Sequence, residues 1–150
     1  MRDPRDHDEE SLHRIRALPK LELHLHIEGA APPGFIRGLA QEKSIRVDRV
    51  FREDGSYAYG DFAEFLKVYE AATSVLTSPR DYARLTTAVL GQCAASGVIY
   101  AEAFLSPDFC GGGDLGAWRE YLHAMREAAA EAERDMGVTL RGMVTCLRHF

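Results

Sequence analysis

The sequence predicts an α/β fold built on a parallel sheet, and three observations support this prediction. Residues 21–30, 98–106 and 140–147 have the composition of β-strands. The segments between them carry apolar residues at intervals of three and four, which is the period of an amphipathic helix. Glycine and proline punctuate the junctions. Strands that alternate with helices are typical of parallel sheets with right-handed crossovers.

The number of strands sets the expected architecture. Three strands cannot close a barrel, and a TIM (β/α)8 barrel needs about 200 residues or more, whereas this chain has 150. We therefore predict the N-terminal portion of a TIM barrel, about three βα units, truncated before the fourth strand. Residues 12–150 form this partial barrel, and the polar residues 1–11 form a disordered tail.

The first strand, 21–30, alternates apolar and polar residues and so has two distinct faces. The apolar face, predicted to pack against helices, comprises Leu21, Leu23, Leu25 and Ile27. The polar face comprises Glu22, His24, His26 and Glu28. The Cα atoms of His24 and His26 are expected about 6.5 to 7 Å apart, so both imidazoles can bind one zinc-type ion. The alternative is an exposed edge strand whose histidines have no role.

The helices are predicted from their caps and apolar stripes. A short helix spans 12–18, a crossover helix spans 33–43, and 44–59 is a loop. Ser78 and Gly97 bound one long helix, and Asp114 and Gly137 bound another. Asp61 caps a further helix with an apolar stripe. This stripe is predicted to belong to the core, and the alternative is a role in a binding site. It comprises Phe62, Phe65, Leu66, Tyr69, Ala72 and Leu76.

Composition narrows the possible partners. The net charge of −5 and the lack of a basic cluster argue against nucleic acid and anionic membranes, so a small molecule is the expected ligand. No apolar run is long enough to cross a bilayer. The three cysteines form no C-x-x-C pair, which favours a reducing cytoplasm over a disulfide framework. Nothing in the sequence indicates an oligomeric state.

Several segments together resemble one known family. Residues 18–30, Leu-Pro-Lys-Leu-Glu-Leu-His-Leu-His-Ile-Glu-Gly-Ala, are similar to the signature P-K-x-E-L-H-x-H-L-[DE]-G of the adenosine/adenine deaminase family. Residues 61–69 resemble its F-x-x-F-L-x-x-Y helix, and 97–102 resemble its G-V-x-Y-x-E strand. Ser106-Pro107 and 147–149 also match. The resemblance covers nearly the whole chain after the tail.

This resemblance implies a TIM barrel with one zinc ion, Zn2+, at its C-terminal mouth. It implies that His24 and His26 are zinc ligands, that His26 and Glu28 contact the substrate, and that Phe62 and Phe65 belong to a lid over the purine. The implied reaction is the zinc-dependent hydrolysis of adenosine to inosine and ammonia in purine salvage. The other zinc ligands and the general acid are expected beyond Phe150, so the 150-residue chain alone is expected to be inactive.

Three alternatives stay open beside adenosine deamination. Glu28 stands where many adenosine-specific members carry Asp, and Phe104 stands in place of the Arg of the family pattern E-x-R-Y-S-P, which both favour adenine as substrate. Phosphoesterases of the polymerase-and-histidinol-phosphatase type also begin with H-x-H, but their further His-rich motifs are absent. The last alternative is an inert fragment without catalytic function.

Overall fold

The computed structural model describes residues 9–47 and 49–146 and contains an alternation of helices and strands. The helices are α1 (Glu9–Ala17), α2 (Pro33–Glu42), α3 (Phe62–Thr73), α4 (Pro79–Ala95) and α5 (Leu115–Met136). The strands are β1 (Lys20–His26), β2 (Val98–Leu105) and β3 (Thr139–Val144). None of the helices in this described part combines the length and apolar character that a membrane span requires.

The three strands form one sheet in the order β1-β2-β3, and both pairs are parallel. The predicted α/β class and the parallel arrangement are therefore confirmed. Consecutive strands lie side by side because the helices that follow β1 and β2 are long enough to return the chain to the same end of the sheet. The carboxyl ends of all three strands consequently meet at one edge.

The predicted helix caps are confirmed. The side chains of Asp61, Ser78 and Asp114 each accept a hydrogen bond from the backbone N–H three residues later, at the starts of α3, α4 and α5. These bonds satisfy N–H groups that have no partner within the helix. Gly137 ends α5 with a φ of 71°, a conformation that glycine adopts without steric cost.

The core lies between the sheet and the two longest helices. Helix α4 packs against β2 and α5, and α5 also packs against β3. Large side chains at this interface are almost fully buried, among them Leu85, Leu90 and Trp118. On the sheet, small residues let the helices approach closely, since Ala101 and Ala103 have no exposed surface. This packing fixes β2 as the centre of the fold.

The predicted apolar face of β1 is only partly buried. Ile27 is 1% exposed, but Leu21 and Leu23 are 62% and 54% exposed, so the prediction that they pack against helices is wrong for the described residues. The reason is that α4 and α5 lie over β2 and β3 and do not extend over the start of β1.

The strict alternation of β1 is interrupted as well. Three residue steps of β1, from Glu22 to Leu25, match two of β2, from Ala101 to Ala103, so β1 contains a bulge. Glu22 is the cross-strand partner of the buried Ala101 at the start of this irregularity.

Some predicted boundaries differ from the structure. The tail assigned to 1–11 lies outside the described residues up to position 8, while Glu9–Ser11 already belong to α1. Strand β3 ends at Val144, before the predicted 147, and 147–149 of the family match lie outside the described residues. The predicted loop 44–59 contains an antiparallel bridge between Phe51 and Tyr57.

Candidate active site

A cavity of about 790 Å³ opens where the carboxyl ends of the strands meet α3. Ligands of parallel α/β folds bind at this end of the strands. The lining combines a few polar groups with a predominantly aromatic and aliphatic wall: Glu22, His24, Leu25, His26, Glu28, Gly29, Ala30, Phe62, Phe65, Leu66, Tyr69, Glu70, Phe104, Ser106, Phe109 and Thr145. All five side chains that the sequence analysis assigned to a site line this one cavity.

His24 and His26 lie on the same side of β1, with their ring centroids 5.4 Å apart and their planes inclined at 47°. Partial burial, followed by the neighbouring charge of His24, lowers the pKa of His26. A lowered pKa favours the neutral imidazole, which is the form that binds metal ions. The two rings thus offer nitrogen donors of the required kind side by side.

Phe104 of β2 packs on both histidines. Its ring centroid lies 4.4 Å from that of His24 and 5.2 Å from that of His26, and its plane is within 20° of the His26 plane. The strand register explains this arrangement, because Phe104 is the direct cross-strand partner of His26. In the sequence Phe104 is visible only as a departure from the family pattern, and its contact with His24 and His26 was not predicted.

Glu28 lies in the wall of the cavity and is 5% exposed. Its two carboxyl oxygens accept hydrogen bonds from the Tyr82 hydroxyl at 3.1 Å and from the Tyr69 hydroxyl at 3.3 Å. Burial raises the pKa of Glu28, although the hydrogen bonds to its own backbone and to the two tyrosines act in the opposite direction. The carboxyl group is therefore held in one position at the cavity wall.

The support behind Glu28 comes from buried groups of other elements. Tyr82 of α4 is 1% exposed, and its hydroxyl also contacts the thiol of the fully buried Cys110. Burial raises the pKa of Tyr82, and burial together with the charge of Glu28 raises the pKa of Cys110 to about 12. The contact of Tyr82 with Glu28 was not predicted, because no local sequence signal reveals a partner 54 residues away.

Helix α3 closes the opposite side of the cavity with aromatic rings. Phe65 lies at the centre, with its centroid 6.1 Å from that of Phe62 and 5.9 Å from that of Tyr69. Tyr69 passes close to β1 because Gly29 has no side chain, where a Cβ atom would lie 3.1 Å from the tyrosine ring. Phe62 is 72% exposed, so its prediction as a core residue is wrong and the site alternative describes it better.

The donor set agrees with half of a zinc site. Tetrahedral zinc takes four ligands, and imidazole nitrogen is among its preferred donors. His24 and His26 supply two such donors at the cavity. Within residues 9–47 and 49–146, no group of three or more His, Cys, Asp or Glu side chains is close enough to hold a metal ion. The described residues therefore fit two of the four positions.

Comparison with known proteins identifies relatives over most of the chain. Residues 19–150 match the family model for adenosine deaminase. An adenine deaminase from Rhizobium rhizogenes is 41% identical over 134 residues, which cover 89% of this chain and 41% of the relative. The chain thus spans about 40% of the length of such curated relatives.

Solved structures agree with the sequence match. The adenine deaminase from Arthrobacter aurescens has a TM-score of 0.68 and 30% identity, over 83% of this chain and 38% of the other. An amidohydrolase from Burkholderia ambifaria, solved with bound zinc, has a TM-score of 0.71 and 26% identity, over 89% of this chain and 37% of the other. The match of a family model to residues 19–150, supported by these relatives, shows that the chain belongs to the adenosine deaminase family.

Proposed function

We propose that this chain forms the metal- and base-binding N-terminal part of a hydrolytic adenine deaminase, which converts adenine and water to hypoxanthine and ammonia. One observation carries the proposal: the His24–His26 pair and Glu28 line a single aromatic cavity, in a chain about 40% identical to adenine deaminases. The sequence analysis ranked adenosine first, and these relatives favour its adenine alternative. The three strands are then the first three of a (β/α)8 barrel.

The two histidines would hold the zinc ion. When bound, zinc supplies Lewis-acid activation of water, which the hydrolytic replacement of an amino group requires. Metal ions bind the neutral form of imidazole, and the lowered pKa of His26 favours this form. Strand β1 fixes their separation, because side chains two residues apart lie on the same face.

The base would lie between the sheet and α3. A purine is flat and largely apolar on its faces, and the rings of Phe62 and Phe65 offer it stacking surface. Ring stacking also removes water from the reacting centre, which strengthens the electrostatic interactions there. The apolar surface of α3, which packing within the described chain leaves exposed, would thus bind the purine.

Glu28 would select the free base. The carboxyl oxygens accept one hydrogen bond from each tyrosine and one from the Glu28 backbone. A carboxylate has about four acceptor sites, so one remains for a ligand. An Asp at this position would be one methylene shorter and would leave more room beside N9 of the purine. The longer side chain, held at the wall by Tyr69 and Tyr82, thus crowds the region that a ribose would occupy.

A chimera tests the proposal directly. Residues 19–150 replace the aligned segment of the Rhizobium rhizogenes adenine deaminase, and ammonia release is measured with adenine and with adenosine. We expect zinc-dependent turnover that favours adenine. His24→Ala or His26→Ala should each abolish zinc retention and turnover. Full zinc content and full turnover in either variant would refute the ligand assignment.

The substrate choice has a separate test in the same chimera. Glu28→Asp should raise the ratio of adenosine to adenine turnover, because the shorter acid leaves room for the ribose. Glu70→Asp is a matched control, since Glu70 also lines the cavity but the hydroxyls of Tyr69 and Tyr82 donate their hydrogen bonds to Glu28. A chimera that prefers adenosine before any substitution would contradict the assignment to adenine.

A further inference from the structure

Three rings from two strands form a compact cluster at the cavity: His24, His26 and Phe104. Phe104 contacts both imidazoles, at centroid distances of 4.4 and 5.2 Å, and the imidazoles lie 5.4 Å from each other. Each ring of the cluster therefore touches the other two. Phe104 belongs to β2, the strand that pairs with both other strands and packs against α4. The backbone that carries the Phe104 ring is therefore held in place beside the histidines of β1.

The orientation of an imidazole about its last side-chain torsion is only weakly restrained by the residue itself. In most metal sites a hydrogen bond from the other ring nitrogen to a carboxylate or carbonyl group fixes that torsion. Within the described part of the chain, His24 and His26 are instead contacted by rings, and the hydrogen bond of His24 to Glu22 is made by its backbone N–H.

We propose that Phe104 is a positioning residue that holds the His24 and His26 imidazoles in the orientation in which both bind one zinc ion. The proposal rests on the metal role given to the two histidines under the proposed function. A ring suits this task because it restrains both imidazoles at once through its flat face. It also adds no charge beside a dication and keeps water from one side of the pair.

The test uses the 150-residue chain and zinc alone, without any purine. Zinc affinity is measured by titration calorimetry, and the ring 15N shifts of His24 and His26 report which nitrogens bind. Phe104→Leu should weaken zinc binding about tenfold, the lower end of the effect of removing a residue that orients metal ligands. Phe104→Tyr keeps the ring and should restore affinity close to that of the unmodified chain.

Phe51→Leu is the matched control, because it removes another partly buried ring that stacks on Tyr57, 5.4 Å away and outside the cavity. We expect its zinc affinity to equal that of the unmodified chain. Equal affinity for Phe104→Leu, or an equal loss in Phe51→Leu, would overturn the proposal. Circular dichroism checks that each variant folds, and Phe104→Met, whose flexible side chain fills irregular gaps in a core, replaces Leu if that variant unfolds.

A second readout separates this proposal from the proposed function. In the metal-free chain, nuclear Overhauser contacts from the Phe104 ring to both imidazoles should be present. Their absence from the unmodified chain would overturn the positioning role, even if the chimera deaminates adenine. A chimera without deaminase activity would refute the proposed function. Even then, a tenfold loss of zinc affinity in Phe104→Leu would support the positioning role.

Discussion

Helices α3 and α4 have the same kind of sequence and opposite surroundings. Each begins behind a capping side chain, Asp61 or Ser78, and each carries an apolar stripe at helical spacing. Helix α4 buries seven residues, whereas α3 buries only Ala72. An amphipathic pattern therefore identifies which face of a helix is apolar, but it does not tell whether protein or ligand covers that face.

The surroundings explain the difference. Helix α4 has β2 on one side and α5 on the other, so its stripe is enclosed by protein. The first two turns of α3 face the cavity, and Phe62 and Leu66 remain 72% and 49% exposed there. Exposed apolar surface of this kind is typical of binding sites. Four pairs of substitutions test how far the contrast extends.

The largest effect is expected from truncating the two stripes. Leu85→Ala in α4 should lower the free energy of unfolding by about 2 to 5 kcal/mol, because Leu85 is fully buried and leaves a cavity. Leu66→Ala in α3 should change it by about 0.5 kcal/mol or less, because that side chain is half exposed. Urea titration measures both. Equal losses would show that α3 packs as α4 does.

Of the two tyrosines that contact Glu28, Tyr82 on α4 should contribute more to the free energy of unfolding than Tyr69 on α3. Tyr82→Phe removes the donor from a buried carboxyl oxygen and should cost about 1 to 3 kcal/mol of unfolding free energy. Tyr69→Phe should cost about 0.5 to 1.5 kcal/mol, since water from the cavity can replace its hydroxyl. Thermal unfolding compares the two variants. A larger loss for Tyr69→Phe would place the main support of Glu28 on α3.

Among the described residues, the start of α4 also has an ion pair, and the start of α3 has none. Lys43 of the α2 C-terminus bonds Asp81, which is 4% exposed. Burial alone would raise the pKa of Asp81, but the hydrogen bonds from Lys43 and Thr77 lower it. A lowered folded-state pKa stabilises the protein above the ordinary Asp value of about 3.9, and this contribution is lost as pH falls through the folded-state pKa.

Lys43→Met should accordingly destabilise the protein at neutral pH and flatten the loss of stability on acidification. Arg84→Met is the control, because its pair with Glu42 is exposed and contributes little. Urea titrations between about pH 7 and about pH 3 measure the slope. An unchanged slope in Lys43→Met would mean that Asp81 does not depend on this lysine.

The smallest expected effects come from the caps, and they distinguish local from global opening. Asp61→Ala and Ser78→Ala each remove one capping bond worth about 1 kcal/mol. In α4 the loss should appear in global unfolding, because the helix is part of the core. In α3 it should appear as faster amide exchange confined to that helix. Global destabilisation by Asp61→Ala would contradict this division.

Much of the fold could be predicted because its signals are local. Caps such as Asp114 and the left-handed Gly137 act within one helical turn, and the sequence shows them directly. The parallel sheet followed from strands separated by helices. The pair of His24 and His26 followed from the two-residue period of a strand. Each of these inferences depends only on neighbours in the chain.

The rest depends on which elements meet in space. Leu21 and Leu23 have the alternation of a buried face, but their exposure is set by helices that cover other strands. The contacts of Tyr82 with Glu28 and of Phe104 with His24 join residues 54 and 80 positions apart. The composition of one segment carries no information on such pairs. The polar residues of the site could therefore be predicted, but the residues that pack against them could not.

The order of the strands also has a consequence for how fast the site forms. Lys20 pairs with Val98, 78 positions later, while Tyr100 pairs with Thr139 after 39. Closing the longer loop costs more chain entropy, and non-local pairings slow folding. We expect α4, β2, α5 and β3 to assemble first and β1 to join them last. In pulse-labelled hydrogen exchange, amides of β1 should gain protection after those of β2, so that the histidine pair meets Phe104 only in the final step of folding.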